Sequence, residues 1–396
     1  MRLPRRLASL AAITSFVALA ASSALVACSA APDGSEFQGD GRTARSAKVD
    51  GGSEISFGDT PAVDTLTAGC ATASASAERR AVTMLMVLDG SGSMDQQEKW
   101  NATVPALSEV FDSLATAKDP TFSLGLTVFS DDKDKTDGDG PYPNIEVPIK
   151  TVDATQAAAL KARITGTKPS SSTPTLKVLQ GQYAALEAFK SPGATDTKRV
   201  LVLLTDGVPD DGATEQAAVV KLAGDELKKT GPSGPISTFA VGIGNVTPLD
   251  PSTYDPRFMG DLAKAGGTAN AGCVAGETTD VSKMCHFQVV PKGKTAAQIR
   301  QELIDALNRI RGAALSCEYA LQKSESGAVD PSRVNVIFTD ASGKETVIPQ
   351  SGADGWSYDN PQSPTRVVVN GAACNQLKGD AKGAVKIVLG CKTVVK

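Results

Sequence analysis

The chain of 396 residues is poor in the side chains on which many hydrolytic and metal enzymes depend. His286 is the one histidine of the chain. The chain contains neither an H-E-x-x-H nor a G-x-S-x-G motif. These absences argue against Cys/His metal sites and against most histidine-dependent catalysis. Lys and Arg number 40 against 44 Asp and Glu, with no basic stripe, so nucleic acid is not expected as a partner.

Long apolar runs are also scarce, and the one that qualifies lies at the N-terminus. In residues 1–27, arginines precede an apolar stretch and small residues follow it, which is the pattern of an export signal. The run Leu25-Val26-Ala27-Cys28 resembles a bacterial lipobox, which implies cleavage after residue 27 and lipidation of Cys28. An ordinary signal peptide that happens to contain a cysteine is the alternative. With no second long apolar run, we expect a lipid as the membrane attachment, and Ser29 in place of aspartate favours the outer membrane.

Composition and periodicity divide the rest of the chain into three parts. Residues 28–80 are rich in Ala, Ser, Gly, Asp and Thr without periodicity, which predicts a flexible tether. Residues 81–316 alternate apolar strands with helical stretches, which predicts an α/β, doubly wound and mainly parallel sheet. Residues 317–396 show short β-like runs between turns and no helix of useful length, which predicts a small all-β appendage.

The element bounds follow from the same patterns. The predicted strands of the α/β part are 82–88, 122–129, 144–149, 199–205, 236–243 and 286–290, and the predicted helices are 95–117, 154–165, 175–190, 213–229, 256–265 and 295–312.

Two of the strongest strand predictions end abruptly in polar residues. The first runs into Asp89-Gly-Ser91-Gly-Ser93, and the fourth into Thr205-Asp206-Gly207. A loop between two predicted helices, GTKPSSSTPTLK, adds Thr173 and Thr175. Each could be a simple turn or helix cap, but the carboxyl ends of parallel strands share one edge of a sheet. Oxygen-only ligands suit a hard cation such as Mg²⁺ or Mn²⁺.

Together these three motifs resemble the metal-ion-dependent adhesion site of the von Willebrand factor A (vWA) domain. The resemblance covers about residues 81–312. It implies Asp89, Ser91, Ser93, Thr173 and Asp206 as the metal site, with hydroxyls touching the metal and carboxylates acting largely through water. Where the family often has Gly-Gly before the loop threonine, this chain has Ser171-Ser172, so both Thr173 and Thr175 are open as the ligand of the second loop.

The implied function is binding rather than catalysis. A cation with few anionic ligands stays electrophilic, and the family resemblance implies that it accepts a carboxylate from a protein partner. We therefore expect a lipid-anchored cell-envelope module and no enzyme. A structural envelope protein with a stabilising metal is one alternative, and a metal-dependent hydrolase is another.

Six cysteines follow Cys28, and an even number in an exported chain predicts disulfides. Because the two ends of a vWA domain lie close together, the resemblance implies a Cys70–Cys317 bridge. Cys273 and Cys285 bracket a short excursion and are expected to pair. Cys374 and Cys391 remain and are assigned to each other.

Three further motifs receive conventional interpretations. The acidic stretch 130–140 is interpreted as a solvated loop, with an accessory Ca²⁺ site as the alternative. The Lys292–Thr295 segment, KGKT, has too few glycines to cradle a nucleotide phosphate. His286 is expected to be structural, and Trp356 and Tyr358 to be core or hairpin aromatics.

Overall fold

The computed structural model describes residues 70–396 except 78, 131–141, 192–196, 232, 247–253, 275, 277, 322–328 and 381–382. The predicted signal sequence, Cys28, the tether up to residue 69 and nearly all of the acidic 130–140 stretch lie outside the described residues. No helix within the described part has the length and apolar composition needed to cross a bilayer.

Thirteen strands are assigned in the described residues: β1 Ala73–Ala77, β2 Ala81–Asp89, β3 Phe122–Phe129, β4 Val147–Thr151, β5 Thr197–Thr205, β6 Ile236–Ile243, β7 Phe287–Val289, β8 Glu318–Ala320, β9 Val334–Thr339, β10 Glu345–Ile348, β11 Trp356–Tyr358, β12 Arg366–Val369 and β13 Ala384–Leu389. The α-helices are α1 Lys99–Ala117, α2 Ala154–Thr165, α3 Thr175–Ala188, α4 Gly212–Lys228, α5 Pro256–Ala265, α6 Ala296–Ala314 and α7 Gly371–Gly379. Short 3₁₀ turns lie at Gly92–Asp95, Val281–Lys283 and Pro331–Arg333.

A six-stranded sheet in the order β4-β3-β2-β5-β6-β7 forms the centre of the α/β part. Every neighbouring pair is parallel except β3 and β4, which are antiparallel. The chain passes from β2 to β3 on one side and later to β5 on the other, so the strand order reverses next to β2. The predicted doubly wound, mainly parallel sheet is therefore confirmed, with an antiparallel edge strand that begins three residues later than expected.

The two faces of this sheet are covered by different helices, which explains the unbroken apolar runs of its strands. In β2, Met84 and Met86 join the core under α1, α2 and α6, whereas Leu85 and Val87 join the core under α3, α4 and α5. A strand buried on both faces needs apolar side chains at every position. The polar residues that end such a strand are therefore conspicuous exceptions.

The C-terminal part contains two antiparallel sheets, β1-β13-β9-β10 and β11-β12-β8, around a core of its own. Trp356 is fully buried and packs edge-on against Tyr358, as predicted for core aromatics. The part also contains the nine-residue α7, which the all-β interpretation missed. Among residues 371–378, for which burial is described, Ala373 and Leu377 are the two buried residues of α7, so its sequence carries little helical periodicity.

The predicted tether ends earlier than residue 80, because Ala73–Ala77 form β1. This strand pairs with β13 in the register Ala73↔Leu389 to Ala77↔Val385. Its sequence, ASASA, has no large apolar side chain, and most of its residues are exposed. Backbone pairing with β13 defines the strand, and composition gives no sign of it.

Two of the three predicted disulfide pairings are wrong for the same reason. The structure joins Cys70 to Cys391 and Cys317 to Cys374, whereas the Cys273–Cys285 pairing is confirmed. Because β1 runs antiparallel to β13, Cys70 before β1 lies beside Cys391 after β13, with their Cα atoms 5.0 Å apart. The proposed Cys70–Cys317 clamp assumed that Cys70 flanks the α/β sheet, and it does not.

The Cys70–Cys391 bridge closes far more chain than Cys273–Cys285, with sequence separations of 321 and 12. In the chain-entropy model, replacing Cys70 and Cys391 by serine lowers the free energy of unfolding by about 6 kcal/mol, against about 3 kcal/mol for the Cys273/Cys285 pair. Urea unfolding of the two double variants measures this order. Peptide mapping without reduction tests the pairing itself, and a Cys70–Cys317 peptide would contradict the structure.

Candidate metal-binding site

The carboxyl edge of the central sheet brings two aspartates together. Asp89 is the last residue of β2, and Asp206 follows directly after β5. The two strands are adjacent and parallel, with Leu88 paired to Leu204, so both chains leave the sheet at the same edge. Ligands of open α/β sheets bind at this edge, where the strand order reverses.

Asp89 is fully buried and held by two hydrogen bonds. The Ser91 amide donates to Oδ1 at 2.8 Å, and the Thr205 hydroxyl donates to Oδ2 at 2.5 Å. Thr205 also accepts a hydrogen bond from the Gly207 amide at 3.1 Å. The segment around Thr205 therefore fixes the carboxylate of Asp89.

Hydroxyl groups continue this network from the first loop to Asp206. Ser91 Oγ and Ser93 Oγ share a hydrogen bond of 3.1 Å, and Ser93 Oγ donates to Asp206 Oδ1 at 2.8 Å. These hydrogen bonds connect the segment after β2 with the segment after β5.

The second loop contributes Thr173 rather than Thr175 to this place. A Cβ atom added at Gly207 would lie 3.3 Å from Thr173 Oγ1 and 3.8 Å from Asp89 Oδ2. The missing side chain of Gly207 thus leaves room beside these two oxygens. Thr175, in contrast, starts α3 and its hydroxyl donates to the Thr173 carbonyl at 3.3 Å.

Backbone hydrogen bonds join the loop after β2, which is the first loop, to the second loop, which precedes α3. The Gly92 amide donates to the Ser171 carbonyl at 3.1 Å, and the Ser170 amide donates to the Gly90 carbonyl at 2.9 Å. Ser171 has a left-handed φ of 65°, a conformation that the glycine frequent at this place in the family would adopt without strain.

The second and third loops are also linked directly. The Thr173 amide donates to Asp210 Oδ1 at 2.7 Å, and the Asp210 amide donates back to the Thr173 carbonyl at 3.3 Å. These contacts need no metal ion, so the oxygens are positioned by the protein itself.

The ionised form of Asp89 is disfavoured at this edge of the sheet. Burial, together with the nearby charge of Asp206, raises the pKa of Asp89 to about 7, although its hydrogen bonds to Thr205 and Ser91 oppose the shift. A carboxylate that is difficult to ionise without a counter-charge is the expected state of a cation ligand before the cation arrives.

The donor set fits a hard divalent cation. Within the described residues, no group of three or more His, Cys, Asp or Glu side chains is placed to hold a metal ion. A cation here would therefore use two carboxylates, three hydroxyls and water, all of them oxygen donors. This chemistry suits Mg²⁺ or Mn²⁺ and is poorly suited to a soft metal.

His286 belongs to a different network. It is buried, and its Nε2 contacts the Gln288 side-chain oxygen at 2.7 Å and the Tyr254 hydroxyl at 3.2 Å. Burial lowers the pKa of His286 to about 4, so the ring is neutral near pH 7. The KGKT segment ends in Thr295, which caps α6 in a reciprocal capping box with Gln298.

Three residues at the site were missed by sequence reasoning, namely Lys99, Thr205 and Asp210. Thr205 and Asp210 flank the predicted Asp206 on one short loop, but their hydrogen bonds depend on long-range geometry. Lys99 had a local signal, since a lysine in the first turn of a helix opposes the helix dipole.

One family model matches part of the chain, and the match agrees with the fold. Residues 84–250 match the von Willebrand factor type A domain, and the α/β part of the chain has the vWA fold, followed by additional antiparallel strands. No curated protein sequence matches the chain.

Several solved structures are similar to the chain at low sequence identity. A von Willebrand factor type A protein from Catenulispora acidiphila is 15% identical, with a TM-score of 0.36 over 81% of this chain and 60% of that one. The pilus adhesin SpaC from Lactobacillus rhamnosus GG, in its open conformation, is 15% identical, with a TM-score of 0.40 over 78% and 38%. The manganese-loaded TRAP protein of Plasmodium vivax is 17% identical, with a TM-score of 0.37 over 59% and 76%. The chain thus spans less than two thirds of the first two proteins.

Replacing Asp89 by asparagine should lower metal affinity and raise the stability of the metal-free protein, so two measurements test the site. We expect Asp89→Asn to abolish Mg²⁺ and Mn²⁺ binding in calorimetry, because it removes one of two carboxylates. We also expect it to stabilise the metal-free protein at pH 8. The pKa of Asp89 in the folded protein, about 7, exceeds the ordinary value of 3.8, so the contribution of Asp89 to folding stability is favourable below pH 3.8 and is lost as the pH rises through 7.

At pH 8 in EDTA the gain is about 1–4 kcal/mol, the upper figure being the whole shift at about 1.4 kcal/mol per pKa unit. Urea unfolding measures it. The control is Asp211→Asn, since Asp211 is exposed on the same loop and should change neither quantity. Equal metal affinity in wild type and Asp89→Asn would remove Asp89 from the site.

Proposed function

We propose that the vWA domain binds Mg²⁺ or Mn²⁺ through Asp89, Ser91, Ser93, Thr173 and Asp206, and binds an acidic group of a protein partner through this cation. The observation that carries the proposal is the single hydrogen-bonded network from Asp89 through Ser91 and Ser93 to Asp206. The cation supplies an electrophilic position for a carboxylate oxygen. The protein residues orient the cation and leave its charge only partly neutralised.

Preorganisation of the three loops supports adhesion rather than folding as the role of the cation. The loops are joined by backbone hydrogen bonds and by the Thr173–Asp210 contacts, so the domain does not depend on a metal to assemble this edge. A purely stabilising metal would gain little here, whereas a preformed cation site lowers the cost of ordering on binding a partner.

No catalytic function is proposed. His286, the one histidine, is engaged with Tyr254 and Gln288, and the carboxylates of the site are engaged with hydroxyls and Lys99. A general base beside the cation would be needed for hydrolysis. The functional class proposed is therefore an adhesion or complex-assembly module.

The test is cation-dependent binding of a blocked peptide with one glutamate, with the glutamine peptide as its matched control. We expect the glutamate peptide to bind in Mg²⁺ and to be released by EDTA. Ser93→Ala and Thr173→Ala should each weaken this binding at least about tenfold, because each removes a hydroxyl at the cation. Ser113→Ala, on the exposed face of α1, should leave it unchanged.

Metal binding without any preference for the glutamate peptide would favour the stabilising-metal alternative. Hydrolysis of a peptide or ester that depends on the metal would favour the enzyme alternative. Either result would contradict the adhesion proposal.

We also propose that the mature chain is exported and held in the cell envelope, at the outer membrane, by a lipid on Cys28. The chain has seven cysteines, and the other six form three disulfides. Cys28 is therefore left without a disulfide partner in its own chain. This agrees with its use as a lipid acceptor at the end of the lipobox-like run.

The lipid assignment predicts palmitate labelling and a membrane-fraction location for the wild type. Cys28→Ser should lose both, whereas Ser29→Ala should keep the label, because the neighbouring hydroxyl has no part in the thioether. A Cys28→Ser protein that still incorporates the lipid label would exclude the lipobox interpretation.

A further inference from the structure

A lysine of the chain contacts the candidate metal site directly. Lys99 Nζ forms an ion pair with Asp206 Oδ2, while Oδ1 of the same carboxylate accepts the Ser93 hydroxyl at 2.8 Å. Asp206 is buried, and the Lys99 residue is only 7% exposed. One of the two proposed anionic ligands is therefore already paired with a cation that the protein supplies.

The position of this lysine is unfavourable by local rules. Lys99 is the first residue of α1, where the helix dipole disfavours a positive charge by about 0.3–1 kcal/mol. Burial of an ammonium group adds a desolvation cost unless the group is paired. The Asp206 carboxylate is the partner that offsets both terms.

The backbone before Lys99 is strained as well. Gln97 and Glu98 have φ values of 54° and 59°, and two consecutive non-glycine residues in the left-handed region are uncommon. The Asn245 side-chain amide donates to the Gln97 side-chain oxygen at 2.8 Å and supports this turn. Strain of this kind persists where the surrounding structure demands it, often at functional sites.

We propose that Lys99 sets the charge of the metal site, so that it weakens cation binding and strengthens binding of an acidic partner. With both aspartates ionised, Asp89, Asp206 and Lys99 carry a net charge of −1, which a divalent cation changes to +1. Without Lys99 the same site would change from −2 to 0. The ammonium group thus repels the cation and contacts a carboxylate that the cation needs, but it leaves the loaded site positive. This inference deepens the proposed function and rests on it.

Replacement of Lys99 by methionine removes the charge and keeps most of the length of the side chain. For the mature chain, we expect Mg²⁺ affinity to rise at least about tenfold in calorimetry, because a unit charge a few ångströms away is removed. At saturating Mg²⁺, we expect affinity for the blocked glutamate peptide to fall at least about tenfold for the same reason. A role in folding alone would not move the two affinities in opposite directions.

Two further variants serve as controls. Lys99→Arg keeps the charge and should stay close to wild type in both measurements. Lys168→Met removes an exposed lysine from the loop that precedes Thr173, where solvent screens its charge, and should also have little effect. If Lys99→Met does not fold, as judged by circular dichroism, Lys99→Gln takes its place, since the amide is neutral and can still donate to Asp206.

The outcomes separate this inference from the proposed function. Unchanged affinities in Lys99→Met, or a joint fall of both, would overturn the role of Lys99 while wild-type metal and peptide binding still supported the proposed function. A neutral variant that binds Mg²⁺ when the wild type does not would support the charge role. Absence of metal binding in the wild type and in the neutral variant would overturn both proposals.

Discussion

The pairing of β2 with β5 as parallel neighbours is the constraint on which the site depends. It places two buried carboxylates, Asp89 and Asp206, at one edge of the sheet. Two like charges removed from water repel each other, and burial together with the charge of Asp206 makes Asp89 more costly to ionise. The surrounding contacts offset this unfavourable energy. Thr205 donates to Asp89, Ser93 donates to Asp206, and Lys99 supplies a compensating positive charge.

These contacts also explain why the site can remain ordered before a cation binds. Thr205 at the end of β5 donates to Asp89 at the end of β2, and Ser93 and Lys99 after β2 contact Asp206 after β5, so these contacts join the two segments. The contact between the Thr173 amide and Asp210 extends the same logic to the second loop. The domain therefore holds carboxylates in fixed positions where added positive charge is favourable. In the proposed function, a divalent cation neutralises these carboxylates more fully than Lys99 does, and its excess charge is available to an acidic group of a partner.

The sequence predicted the central features because they are local or periodic. The apolar run ending at Asp89 and the second run ending before Asp206 indicated buried parallel strands, and the strand edge rule then placed both motifs together. The choice of Thr173 over Thr175 required the position of Gly207, which no local pattern contains. β1 and the Cys70–Cys391 pairing were missed because small Ala and Ser residues carry no hydrophobic signal. Pairing with a strand some 300 residues away in the chain is invisible to periodicity.

The contacts of the C-terminal part determine where a pull on the proposed tether would act. Arg80, just before β2, forms an ion pair with Glu318 of β8 at 3.0 Å, so this part touches the amino edge of the central sheet, whereas Asp89 lies at the carboxyl edge. The chain that leads to Cys28 enters through Cys70, which is bonded to Cys391 rather than to the α/β domain. A pull from a lipid anchor would thus be carried first by the disulfide and by the β1–β13 pair. The candidate metal site lies at the opposite edge of the sheet, away from the segment that such an anchor would pull.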